Sequence, residues 1–90
     1  MNDKKLTPGE WLRKCRVRQS LSFRQLAFAI GILPSDWCNM ENDRLAFPDQ
    51  LLAQMASCLH INFESDQWYE FVESATVSRL TIDGMFFVDY

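Results

Sequence analysis

Leu21-Ser22-Phe23-Arg24-Gln25-Leu26-Ala27-Phe28-Ala29-Ile30-Gly31-Ile32-Leu33-Pro34-Ser35-Asp36-Trp37-Cys38-Asn39-Met40-Glu41 carries the pattern that decides the fold. Leu26, Ala27 and Ile30 recur at helical spacing, which predicts an inward-facing stripe on a helix over residues 23 to 30. Ser22 stands where such a helix needs a side-chain cap. Gly31 follows the last apolar residue, where the backbone must turn to positive φ and only glycine does so without steric cost. Trp37 and Met40, three apart, predict the buried stripe of a second helix over residues 34 to 41, with Pro34 at its first position. Small Ala27 lets the two helices approach closely at a steep angle across the turn.

Outward from this centre the caps continue. Thr7, Pro8 and Glu10 form the pattern that opens a helix, which runs to about Gln19 and buries Trp11, Leu12 and Cys15. After a loop over residues 42 to 48, Pro48 and Asp49 open a fourth helix burying Leu52, Met55, Ala56 and Leu59. Asn62 reads as the cap of a fifth, with Phe63, Trp68, Phe71, Val72 and Ala75 on its apolar face. Val77 to Ile82 and Met85 to Tyr90 are β-favouring runs around Asp83-Gly84, a strong short hairpin signal. The expected architecture is mainly α, five helices over residues 1–75 with a C-terminal β-hairpin over residues 76–90. A strand apolar on both faces invites pairing, so Phe86, Val88 and Tyr90 are the expected dimer interface.

Ninety residues with 48% hydrophobic content close one core and no more. No apolar run approaches the length of a membrane span, and the N-terminus does not read as a signal peptide, so the expected location is the cytoplasm without membrane association. Net charge is −3, but unevenly spread. Residues 1 to 47 hold eight basic and five acidic side chains, net +3; residues 48 to 90 hold one and seven, net −6. A basic front and an acidic back suit a module that turns one face to a polyanion. Cys15, Cys38 and Cys58 lie 23 and 20 residues apart, without the close pairs that start a zinc site, and read as reduced thiols; no metal is expected. One histidine, no Gly-rich phosphate loop and no evident carboxylate pair leave little from which to assemble a reaction, so neither an enzyme nor a cofactor is expected.

The spacing of Leu12, Arg16, Leu26-Ala27, Gly31 and Ser35 to Arg44 resembles the helix-turn-helix of the lambda repressor/Cro (XRE) family of bacterial and phage regulators, over roughly residues 9 to 66. The resemblance implies a repressor-like helix-turn-helix domain acting on double-stranded DNA as a sequence-specific transcriptional regulator, a repressor working as a homodimer. Carried over by position, Pro34, Ser35 and Asn39 face base edges, and Asn39 is suited to adenine. Ser22, Asn42 and Arg44 fall where relatives touch phosphates, and Arg24, near the same helix N-terminus, is placed to neutralise one. The resemblance also implies an ion pair between Arg16 and Glu41. Leu33 stands where relatives place a Ser or Thr cap, and Asp43 where they place glycine. The alternative on the same scaffold is an antitoxin or phage-type inhibitor that binds a protein partner, such as a toxin, through the acidic half.

Overall fold

The computed structural model describes residues 6–87, with side chains through Ile82. It is mainly helical. The elements are α1 (Pro8–Arg18), α2 (Phe23–Ile30), α3 (Pro34–Glu41), a 3₁₀ turn (Asp49–Leu51), α4 (Leu52–Cys58) and α5 (Asp66–Phe87).

Local chemistry sets the starts of α1 and α2. At α1 the Glu10 N–H donates to Thr7 Oγ1 at 3.1 Å, and the Thr7 N–H donates to Glu10 Oε1 at 2.9 Å. At α2 the same reciprocal pair joins Ser22 and Gln25, at 3.1 and 3.0 Å. Two otherwise unpaired amides are satisfied at each helix start.

Helices α1 to α4 share one ending. A residue in the left-handed region turns the chain, and the next N–H reaches back to a carbonyl five residues earlier. Gly31 (φ +77°) does this after α2, where the Ile32 N–H meets the Ala27 carbonyl at 3.0 Å. Ser20 (φ 58°), Asp43 (φ 60°) and His60 (φ 60°) do it after α1, α3 and α4. The apolar residues that follow, Leu21, Ile32 and Ile61, pack into or against the core.

That core gathers Leu12, Leu26, Ala27, Trp37, Met40, Phe47, Met55, Leu59 and Phe71, all at most 2% exposed. Helix α3 packs on both α1 and α2, and α5 packs on α1 and α4. Trp11 of α1 stacks on Phe71 of α5 with ring centroids 5.5 Å apart. Among the described residues, no helix is long and apolar enough to cross a membrane.

Two expectations are corrected. Helix α5 starts three residues later than Asn62: Ser65 is the cap, its Oγ accepting the Trp68 N–H at 3.2 Å, while the Asn62 carbonyl accepts the Ser65 hydroxyl at 2.6 Å. Phe63 therefore precedes the helix and lies 58% exposed, edge-on to Trp68. The larger correction concerns residues 76–90. No strand occurs among the described residues, and α5 continues unbroken through Val77 to Phe87. Burial decides between the alternatives. Phe71, Ala75 and Ser78 are buried at helical spacing, and Arg79, one position on, forms an ion pair with Asp49 before α4. A strand from Val77 would lose both attachments and find no sheet to join, so the packed helix overrides β-propensity. Gly84 inside the helix costs about 1 kcal/mol relative to alanine. Phe86 thus belongs to α5 and not to a strand, while Val88 and Tyr90 lie outside the described residues.

Candidate functional site

The chemistry-bearing surface is built by α2, Gly31 and α3. Helix α3 turns Trp37 and Met40 into the core, both at most 1% exposed. The spacing of 3.6 residues per turn then fixes what faces outward: Ser35, Cys38 and Asn42 are exposed and Asn39 is half-buried. The outward stripe of α3 bears no charge. Pro34, exposed, begins it, and Asn42 ends it with its Nδ2 donating to the Cys38 carbonyl at 3.0 Å. Asp36 is half-buried in the first turn, where a carboxylate complements the helix dipole.

Two exposed cations lie on the adjoining segments, Arg24 in α2 and Arg44 just beyond α3. Arg24 is exposed near the start of α2, its guanidinium 5.5 Å from the centre of the Phe23 ring. Arg44 is exposed beyond α3, and its N–H closes the helix on the Asn39 carbonyl at 2.8 Å. Ser22 is exposed, its oxygen accepting in the α2 cap while its hydroxyl proton remains available to donate.

Beneath the surface, Arg16 and Glu41 join α1 to the end of α3. Arg16 Nε lies 2.5 Å from Glu41 Oε2, and its second guanidinium nitrogen lies 3.0 Å from Oε1, a two-point pairing. Trp37 Nε1 also donates to Glu41 Oε2 at 2.7 Å, and Arg16 donates to the Leu21 carbonyl at 2.9 Å. The side chains are only 14% and 8% exposed. The hydrogen bond to Glu41 is the first cause that raises the Arg16 pKa above its ordinary value. This single cluster fixes α1, the loop before α2, and both Trp37 and Glu41 of α3.

Sequence reasoning missed a second fastening. Asp43 Oδ1 accepts the Gly9 N–H at 2.8 Å, so the residue that turns the chain after α3 also caps α1. Its carboxylate is committed to structure. Leu33 is the other surprise, 65% exposed at the start of α3 and making no capping bond. Phe28 on α2 is 88% exposed.

Away from this surface, α1 and α5 border a cleft of about 340 Å³ lined by Leu6, Pro8, Trp11, Glu70, Glu73, Ser74 and Val77. Its charges are all acidic. Cys15 is 5% exposed, and burial pushes its thiol pKa up, with a weak 3.7 Å hydrogen bond from Gln67 opposing. Among the described residues, no three His, Cys, Asp or Glu side chains gather in a way that could hold a metal ion. Comparisons with protein-family models, with curated proteins and with solved structures return no match.

Proposed function

We propose that the protein is a sequence-specific DNA-binding transcriptional regulator with a repressor-like helix-turn-helix, acting as a homodimer. The observation that carries this reading is the uncharged outward stripe of α3, with Arg24 exposed on the adjoining α2, Arg44 exposed just beyond α3, and the Arg16–Glu41 cluster anchoring the end of α3 to α1. A rigid helix offering hydroxyl and amide groups matches the donor and acceptor pattern of base edges in the major groove. Ser35 and Asn39 read bases, and Asn39 takes adenine through its paired donor and acceptor. Ser22, Arg24, Asn42 and Arg44 hold the phosphates on either side. Occupancy of an operator blocks polymerase, without catalysis.

Two subunits place their α3 helices about 34 Å apart to reach successive turns of one groove. Tyr69, Val77 and Leu80 of α5 are exposed and lie on one side of that helix, which favours α5 as the surface joining the subunits.

Selection from a random duplex pool, followed by fluorescence anisotropy at several salt concentrations, tests the reading. The expected product is a two-fold symmetric site bound tightly at low salt. With few cations on the surface, the salt slope is shallow. A pool with no enriched duplex overturns the proposal.

The cleft between α1 and α5 favours a second reading, an antitoxin or phage-type inhibitor. Its apolar floor at Trp11 and its acidic edge at Glu70 and Glu73 suit a basic protein partner. None of the residues lining it belongs to α2 or α3, so a partner there leaves the α3 surface free, while Val77 is shared with the proposed subunit-joining face of α5.

A further inference from the structure

Leu33 presents a large apolar side chain to solvent at the point where α3 begins. A Ser, Thr, Asp or Asn there would cap the helix, and Leu33 makes no such bond. It is 65% exposed, so it does not compensate by filling the core. Next to it, the Pro34 ring is also exposed, and the stripe that follows has no charged side chain. The N-terminal end of α3 is therefore an apolar tip followed on its outward face by small polar groups, with the Asp36 carboxylate half-buried beside them.

We infer that Leu33 and Pro34 form an apolar contact for the 5-methyl group of thymine, so that the protein distinguishes thymine from cytosine at one position of each half-site. This rests on the DNA-binding reading above and adds to it the base class read by the tip of α3. In the major groove, thymine is the base that presents a methyl group, and apolar side chains recognise it by excluding water. Arginine is the side chain that most often reads guanine there, and the stripe carries none. The readout that remains is methyl contact from Leu33 and Pro34 with hydrogen bonding from Ser35 and Asn39. The expected half-site accordingly combines thymine with adenine and is poor in guanine contacts.

Deoxyuridine lacks only that methyl group. In the duplex selected above, each thymine is replaced in turn by deoxyuridine, and affinity is measured for the intact chain and for Leu33→Ala. The expected result is one position per half-site where the replacement weakens binding about fourfold, the worth of one buried methyl group. In Leu33→Ala the same replacement changes nothing. A second variant, Leu33→Ser, restores a cap: it is expected to raise the unfolding midpoint while abolishing the preference for thymine over uracil. A purely structural Leu33 gives the opposite pattern. If every replacement is neutral in a duplex that still binds, or if Leu33→Ser keeps the thymine preference, the inference is overturned and the DNA-binding reading stands. If no duplex is selected at all, the DNA-binding reading falls and takes this contact with it.

Discussion

Asp43 accepts the backbone N–H of Gly9 across 34 residues of chain, at 2.8 Å, while its own backbone sits at φ 60°. One residue thus performs two tasks, turning the chain after α3 and capping α1. Aspartate tolerates the left-handed region better than most residues because its short polar side chain finds local partners. Asp43→Ala removes the cap and leaves a poor residue for that backbone, a combined loss of about 1–3 kcal/mol. Asp43→Gly removes the cap but eases the turn, so its urea midpoint is expected to lie between the two.

Gly9 adds a prediction whose sign runs against helix propensity. Alanine in a helix is ordinarily better than glycine by about 1 kcal/mol. Here a Cβ on Gly9 would lie 2.4 Å from the Glu41 carbonyl oxygen and 2.7 Å from that of Met40. Those atoms are backbone at the end of α3 and cannot rotate away. Gly9→Ala is expected to destabilise by about 1–3 kcal/mol, as overpacked sites do. Chemical denaturation measures it, and a higher midpoint would show that α1 and α3 slide apart freely.

The Arg16–Glu41 pair is largely buried and shared with Trp37 and Leu21, so removing one member strands the other. Arg16→Met is expected to cost about 3–5 kcal/mol. The double variant Arg16→Met/Glu41→Gln is expected to be more stable than the sum of the single losses predicts, because no charge is then left unpaired. Near-additivity would place the energy elsewhere in the cluster.

Alkaline stability separates this pair from Cys15. Both groups have folded pKa values above their ordinary ones, so each contribution is complete below the unfolded pKa and is lost as pH rises through the folded value. For Arg16 the loss begins only at extreme alkaline pH, beyond any useful range. For Cys15 it begins near 9.0, where the unfolded chain releases its thiol proton and the buried one does not. The urea midpoint is expected to fall above about pH 9, the ordinary range for a thiol. In Cys15→Ala that fall is expected to be shallower. An identical alkaline slope in both proteins would mean that Cys15 ionises as easily folded as unfolded.

Helices α1 to α3 were legible because their signals are local. Thr7 with Glu10, Ser22 before Phe23, and Gly31 after Ile30 each act within one turn of chain. Where contacts cross the chain, apart from the Arg16–Glu41 pair that the family resemblance implies, the sequence was silent or misleading. The Asp43–Gly9 bond looked like a missing glycine. Asn62 and Ser65 are both sound caps, and the chemistry of those two residues does not choose between them; the packing of Trp68 beside Phe71 does. Val77, Ile82 and Asp83-Gly84 have the composition of a hairpin, but Ser78 in the core and Arg79 on Asp49 keep that segment helical. In the candidate site, the outward face of Ser35, Asn39 and Asn42 followed from helical periodicity once Trp37 and Met40 were assigned inward. The exposure of Leu33 did not, since a residue before a helix has no periodic face.

Recognition itself separates two kinds of residue. Asn39 is half-buried on the outward stripe of α3 and Arg44 is exposed beyond the helix end; the proposed function assigns the first to a base edge and the second to a phosphate. Asn39→Ala is expected to lose about 1–3 kcal/mol of discrimination at one base pair with little change in non-specific affinity. Arg44→Ala is expected to weaken binding to every sequence and to reduce the salt slope by about one. Cys38 supplies an independent footprint on the same stripe: exposed, it is expected to react with a thiol reagent well before Cys15, and operator DNA is expected to slow that reaction. Anisotropy titrations against the selected duplex and its single-base variants measure the first two effects, and thiol labelling with and without duplex measures the third. If both variants keep full affinity and specificity and Cys38 labels equally fast with DNA present, α3 does not face nucleic acid, and the acidic cleft at Trp11 becomes the site of function.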